Sequence, residues 1–361
     1  MMNRNDVKIL AFYLPQFHRI PENDAWWGEG FTDWVNVKKA VPLFAGHQQP
    51  REPENDNYYD LADPDVLRQQ MRRARENGIY GFCYYHYWFN GKLLLQKPLE
   101  QMLHIKEKLP FCFCWANEPW ARTWDGQNKN ILMPQYYGTE TEWETHFQYL
   151  LPFFTDNAYI RKDGKPMLVL YRTNDIPNCE EMINYLDRRC KESGLGGLYL
   201  VEERNSFQKD FCCSNANAIL DFEPMYTLNH DRTIMRRAID KLESFLFNRA
   251  TGNHMLIYHY DHIWKRMIRR KQSLVHGRAV FRGAFVDWDN TARKGKNGLV
   301  INGASPEKFK KFLSAQICNA RAENSEYIFI NAWNEWAEGT YLEPDKQNGS
   351  AYLDAIRDLM C

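Results

Sequence analysis

Eight short runs of apolar, β-branched and aromatic residues recur along the chain, and helical periodicity follows most of them. The runs begin at Val7 to Leu14 and Ile79 to Tyr87, then Phe111 to Trp115 and Met167 to Tyr171. They continue with Leu198 to Val201, Ala218 to Phe222, Gly283 to Val286 and Tyr327 to Ile330. Most are apolar throughout rather than alternating, the pattern of strands buried on both faces of a parallel sheet. Helices are predicted after Asp63-Pro64 as far as Glu76, and from Pro98 to Lys108. Others are expected from Glu140 to Phe154, from Glu180 to Ser193, and after Ser305-Pro306 as far as Ala322. Eight such units predict an α/β fold of the (β/α)8 TIM-barrel type, with residues 1–361 as a single domain. An open doubly wound sheet would carry a glycine-rich turn after its first strand, where this chain has Leu14-Pro15-Gln16. Two additions are expected: a long aromatic loop after strand 1, and a basic helical insertion between strands 6 and 7.

Composition narrows the chemistry. The 46 Lys and Arg equal the 46 Asp and Glu, so the formal net charge is zero, which argues against nucleic acid as the main partner. The 12 Trp, 20 Tyr and 21 Phe supply flat apolar faces of the kind that stack on sugars. Nine cysteines show no disulfide or zinc spacing and read as reduced thiols of a cytoplasmic protein. No signal peptide or membrane span is visible, and no motif calls for a cofactor or a resident metal. Asp287-Trp288-Asp289 formally matches a metal-holding Asp-x-Asp, a short pattern that needs a nucleotide-binding fold around it.

Candidate chemistry concentrates at strand ends, where barrel proteins collect their sites. The eighth strand runs into Asn331-Ala332-Trp333-Asn334-Glu335-Trp336-Ala337-Glu338. Two carboxylates three residues apart, among indoles, are the minimal kit for acid–base work at a sugar acetal. Convergence on one mouth gathers Tyr13, His86, Asn117, Glu118, Tyr171, Glu202, Glu223, Asp289, Glu335 and Glu338. So many carboxylates repel, so at least one keeps its proton near neutral pH. The segment Leu256 to Lys271 places Leu256, Tyr260, Ile263, Trp264 and Met267 on one helical face. Lys265, Arg266, Arg269, Arg270 and Lys271 then form a basic cluster, read as a solvated face or as a patch for anionic lipid or a lipid-linked diphosphate.

The run from Ala11 to His18 (AFYLPQFH), Trp26-Trp27-Gly28 and the run from Gly30 to Val37 (GFTDWVNV) resemble the opening of the WbsX glycosyltransferase-like proteins, also described as glycoside hydrolase family 99-like. The similarity continues through the run from Tyr80 to Phe89 (YGFCYYHYWF), Trp115-Ala116-Asn117-Glu118, Trp288-Asp289-Asn290-Thr291 and the run from Asn334 to Gly339 (NEWAEG). Asp287 and Ala292 depart from the family's loop pattern. The resemblance implies a (β/α)8 barrel working on polysaccharide. By it, Glu335 is the base that helps the substrate's own 2-hydroxyl attack, and Glu338 is the acid that protonates the leaving oxygen. The expected saccharide contacts are Tyr13, Gln16, His18, Trp27, Tyr85, His86, Trp115, Asn117, Glu118, Trp120, Tyr171, Asp289, Trp333, Asn334 and Trp336. The expected activity is glycosyl transfer in O-antigen, capsule or lipopolysaccharide assembly. Retaining endo-acting α-glycoside hydrolysis and a non-catalytic sugar-binding barrel are the alternatives.

Overall fold

The computed structural model describes residues 7–122, 127–210, 213–271, 275 and 277–361. Eight parallel strands close on themselves: β1 (Lys8–Tyr13), β2 (Gly81–Phe89), β3 (Phe111–Trp115), β4 (Lys165–Leu170), β5 (Tyr199–Arg204), β6 (Ala218–Asp221), β7 (Ala279–Phe285) and β8 (Tyr327–Asn331). Each pairs with its neighbour in sequence, and β1 pairs with both β2 and β8, Leu10 opposite Gly81 and Phe329. The result is a (β/α)8 TIM barrel. Its strands are buried almost end to end, which is why they read as continuous apolar runs.

The helices begin where capping chemistry predicts. The connection from β1 to β2 holds α1 (Pro21–Trp27), α2 (Asp33–Lys39) and α3 (Pro64–Glu76). Asp63 accepts from Asp65 N–H at 2.9 Å and Pro64 sits in the first turn of α3. After β2 come α4 (Lys97–Leu103) and, past β3, α5 (Glu140–Thr155), whose start is a Thr139/Glu142 capping box. α6 (Cys179–Glu192) follows β4. Between β6 and β7 lie α7 (Met225–His230), α8 (Ile234–Thr251) and α9 (Tyr260–Arg269). Then come α10 (Thr291–Lys294), α11 (Pro306–Ala322) and α12 (Ala351–Met360).

Two expectations change. The connection after β1 is not a bare loop, since α1 and α2 occupy part of it. Each is seven residues long, too short to show a period. Leu256 does not share the helical face of Tyr260, Ile263, Trp264 and Met267. Leu256–His259 is a strand that pairs in parallel with Leu299–Asn302, and the helix begins only at Tyr260. The four later residues are buried as expected.

Candidate active site

One guanidinium organises the barrel mouth. Arg293, on α10, donates from Nη1 to Glu338 Oε1 at 2.6 Å and from Nη2 to Glu335 Oε2 at 3.2 Å. The same Nη2 reaches Asp33 Oδ2 at 2.6 Å. Asp33 opens α2 and is fully buried, its other oxygen accepting from Asn36 at 2.9 Å. The strand-8 turn and the connection after β1 are thus tied to the loop after β7 through one cation.

Glu335 and Glu338 reach this shared point from the two ends of a short helical turn, Trp336–Glu338. Gly339 closes that turn in the left-handed region, φ +67°, and a Cβ there would stand 2.9 Å from Asp289 N. The close approach has a purpose: Asp289 N–H donates to Glu338 C=O at 2.7 Å. Asp289 therefore fixes the backbone of the site, and its own carboxylate is spent elsewhere. One oxygen takes His47 Nε2 at 2.8 Å and Gln49 Nε2 at 2.9 Å, and the other takes Thr291 N–H at 3.0 Å. Burial alone would raise its pKa, but the His47 hydrogen bond and the nearby Arg51 charge bring it below the usual value. Asp287 is held by Arg51 at 2.8 Å. The Asp-x-Asp oxygens are thus committed to protein partners.

Electrostatics separates the pair. Glu335 is almost fully enclosed, whereas the Glu338 side chain keeps 24% of its exposure. Burial, reinforced by the Glu338 charge and only partly offset by Arg293, pushes Glu335 up to about 8. Glu118 is raised by burial, opposed by Arg172 at 3.4 Å and reinforced by the charge of Glu338. The hydroxyls of Tyr85, Tyr87 and Tyr171 are raised first by burial and then by charges of this group. Glu335 acts on Tyr85 and Tyr87, and Glu118 and Glu338 on Tyr171. Deeper in the barrel, Phe12 stacks on Tyr85 at 5.4 Å and meets Phe222 edge-on at 5.2 Å. Trp120 on the rim stands edge-on to Tyr87 at 5.2 Å and to Trp26 at 5.8 Å. Trp27 lies beside Phe31 at 5.9 Å and under Arg122 at 5.3 Å.

The mouth therefore brings together Tyr85, Glu118, Tyr171, Glu335 and Glu338, with Trp27 and Trp120 in the aromatic flank beside it. Other expected contacts point away, for one reason: side chains alternate along a strand. Tyr85 and Tyr87 face inward, so His86 faces outward, 2.9 Å from His146 on α5 and stacked on Phe113. Cys114 lies 3.9 Å from Glu203 inside the barrel, so Trp115 turns out to donate to Trp88 C=O at 3.1 Å. Tyr13 donates to Gln70 beneath α3. Glu203, not Glu202, looks inward; Glu202 accepts from Gln208 and from Cys213 N–H. Glu223 is bound by Arg270 at 2.8 Å and by Thr227. Trp333 packs on Phe82 at 5.1 Å, and Trp336 stacks on Tyr341 at 3.8 Å while donating to Glu343 at 2.7 Å. Gln16 and His18 are buried in the turn after β1, and burial lowers His18 to about 4.

Asn117 and Asn334 do not present their amides to the mouth. Asn334 accepts from Leu14 N–H at 2.8 Å and donates to Leu14 C=O at 2.9 Å. Asn117 treats Arg172 in the same way, at 2.9 Å and 2.8 Å. Each side chain extends a sheet ladder by one pair beyond the strand and clamps adjacent strand ends together. Sequence reasoning missed Arg293, Asp33, Tyr87 and Glu203 as parts of the site. Arg293 stands three residues past the strand-end Asp289-Asn290, a position that by itself marks no role.

The family described as Glycosyltransferase WbsX matches residues 9–356. The chain belongs to this family. It is 35% identical over 359 residues to the uncharacterized protein WxcX of Xanthomonas campestris pv. campestris strain B100, covering 98% of this chain and 49% of WxcX. WxcX of strain ATCC 33913 is 36% identical over 358 residues, with the same coverage. The chain thus spans about half the length of the curated relatives it matches. Among solved structures, the fold is similar to that of the GH99 endo-alpha-mannosidase from Bacteroides thetaiotaomicron bound to bis-tris-propane. The TM-score is 0.57 at 14% identity, over 99% of this chain and 97% of that one. A glycoside hydrolase-like protein superposes with TM-score 0.58 at 13% identity, over 99% and 94%. At such identities the likeness concerns the fold. Among the described residues, no helix is long and apolar enough to cross a membrane.

Proposed function

We propose that the chain is a carbohydrate-active enzyme that breaks and makes a glycosidic bond through Glu335 and Glu338, transferring a glycosyl unit in surface-polysaccharide assembly. The carrying observation is the Arg293 bridge. It brings two carboxylates of unequal burial to one point at the mouth of a barrel from the WbsX family. In the first step Glu335 takes the proton of the sugar's 2-hydroxyl, whose oxygen displaces the leaving oxygen at C1. Glu338 gives its proton to that leaving oxygen. In the second step an acceptor hydroxyl attacks C1 and loses its proton to Glu338, while the 2-oxygen regains one from Glu335. Water as acceptor makes the same site a retaining endo-acting hydrolase; the GH99 neighbour is described as an endo-alpha-mannosidase. A base with pKa near 8 suits the first step, because a carboxylate in the usual range is a weak acceptor for a hydroxyl proton.

A saccharide substrate carried on a lipid, a role in O-antigen, capsule or lipopolysaccharide assembly, and a cytoplasmic location belong to the same proposal. The free thiols among the described cysteines support that compartment. Incubating the chain with candidate nucleotide sugars, lipid-linked sugars and α-linked oligosaccharides, each with and without an acceptor glycan, tests it. Consumption of one donor by the wild type and its loss in Glu335→Gln/Glu338→Gln is the expected result. Undiminished consumption by the double variant contradicts the assignment.

A further inference from the structure

Helix α8 is amphipathic the wrong way round. Its inward face is polar: Arg236 binds Asp240 and Glu243, both at 2.6 Å, and Ser244 accepts from Ile257 N–H at 3.1 Å. Its outward face carries Ile234, Met235, Ile239, Leu242, Phe245 and Leu246, between 38% and 89% exposed. Met235, Ile239, Leu242 and Leu246 are spaced by four, three and four residues, so the six form one strip along the first 13 residues of the helix. Leu256, half exposed on the neighbouring strand, is a further exposed apolar side chain of the same insertion. A helix that packs on a barrel normally buries such a strip, and leaving it in water costs free energy unless something covers it.

Between the polar face of α8 and α9 is a cavity of about 280 Å³. Its walls bring Arg232 and Arg236 together with Lys265, Arg266 and Arg269 of α9. Part of this charge is already balanced. Arg232 and Arg236 share Asp240, and Arg266 pairs with Asp231 at 2.6 Å. Arg270, expected in the same cluster, turns away to Asp221, Glu223 and Asp231. Lys265 and Arg269 are exposed and take no ion-pair partner among the described residues.

We propose that this insertion, α8 with α9, seats on the surface of a membrane rich in anionic phospholipid. The strip enters the boundary between headgroups and acyl chains, and the cavity takes a phosphate headgroup against Lys265 and Arg269. The apolar strip alone would fit many occupants. Lys265 and Arg269, exposed on the same insertion and without an ion-pair partner among the described residues, select an anionic interface over a second copy of this chain, whose matching surface is equally basic. The inference rests on the reading of the chain as an enzyme of lipid-carried saccharides only for its purpose, not for its physics. It places the insertion against lipid and leaves the catalytic mouth, on other elements, to meet a substrate carried there.

The test is flotation of the purified chain with phosphatidylcholine vesicles, with and without phosphatidylglycerol, at low and high salt and with no sugar present. The expected result is flotation with the anionic vesicles alone, weakened by salt. Phe245→Glu/Leu246→Glu and, separately, Lys265→Glu/Arg269→Glu each lower the bound fraction by about tenfold or more while melting like wild type. Glu338→Gln floats as wild type does, so docking and catalysis fail independently. No flotation, or flotation that neither surface pair disturbs, overturns the proposal. So does a concentration-dependent dimer that Phe245→Glu/Leu246→Glu dissolves while anionic vesicles are ignored.

Discussion

A guanidinium between Glu335 and Glu338 changes what each carboxylate can do. Buried beside Glu338, Glu335 holds its proton up to about pH 8, and Arg293 keeps that value from rising further. The proposed steps need one proton on the pair, on Glu338 while Glu335 is ionised, so kcat/KM falls as pH rises through about 8, where that last proton leaves. A profile that stays level or rises through about 8 would contradict a proton held by the pair as the source of the acid. Arg293→Met removes the cation that favours both ionised forms. The expected outcome is kcat lower by about 100-fold, with the limb near pH 8 moved to higher pH. A purely structural arginine would lower activity without moving the limb. The central role of Arg293 was not legible in the sequence. It stands in an ordinary Thr-Ala-Arg-Lys run, and its three partners come from distant segments that only the closed barrel brings together.

Strand ends are set by two side-chain clamps, Asn117 on Arg172 and Asn334 on Leu14. Asn334→Ala leaves the N–H and C=O of Leu14 unpaired in a buried place and frees the segment that carries Glu335. Chemical unfolding should show a loss of about 1–3 kcal/mol, with kcat reduced alongside it. A change below about 0.5 kcal/mol would mean that water replaces the clamp. The strands themselves were readable because burial on both faces makes them apolar throughout. The same property hid their phase. With no alternation to read, nothing in Tyr84-Tyr85-His86-Tyr87 or Glu202-Glu203 says which residues face the axis. His86, Trp115, Tyr13 and Glu202 were therefore expected inside and lie outside, while Tyr87 and Glu203 lie inside.

Across the whole molecule, buried ionisable groups predict how stability follows pH. Burial lowers His18 to about 4 and His86 to about 3, so unfolding takes up protons below about 6.5 and stability rises toward that pH. Burial raises Glu223 and Glu343 to about 7 and Glu335 to about 8. The folded chain keeps those three protons above about 4.3, where the unfolded chain has lost them, so they lower stability as pH rises to about 8. Between pH 6.5 and 8 only the glutamate effect remains, and Tm should fall across that interval. A Tm that is level or rising there would contradict the burial of these carboxylates. At this scale the eightfold repeat of strands and most helices was legible, because each unit is long enough to carry its own signal. The inverted face of α8 was not, because a strip of apolar residues looks the same in sequence whether it faces the barrel or the solvent.

The division of labour between the two glutamates is tested most directly by the leaving-group dependence of Glu338→Gln. An amide in place of the acid should slow release of a sugar or alkyl leaving group by about 100-fold or more, while an aryl or fluoride group, which needs no proton, leaves nearly as fast as with wild type in the first turnover. Equal loss on both kinds of donor would contradict the account.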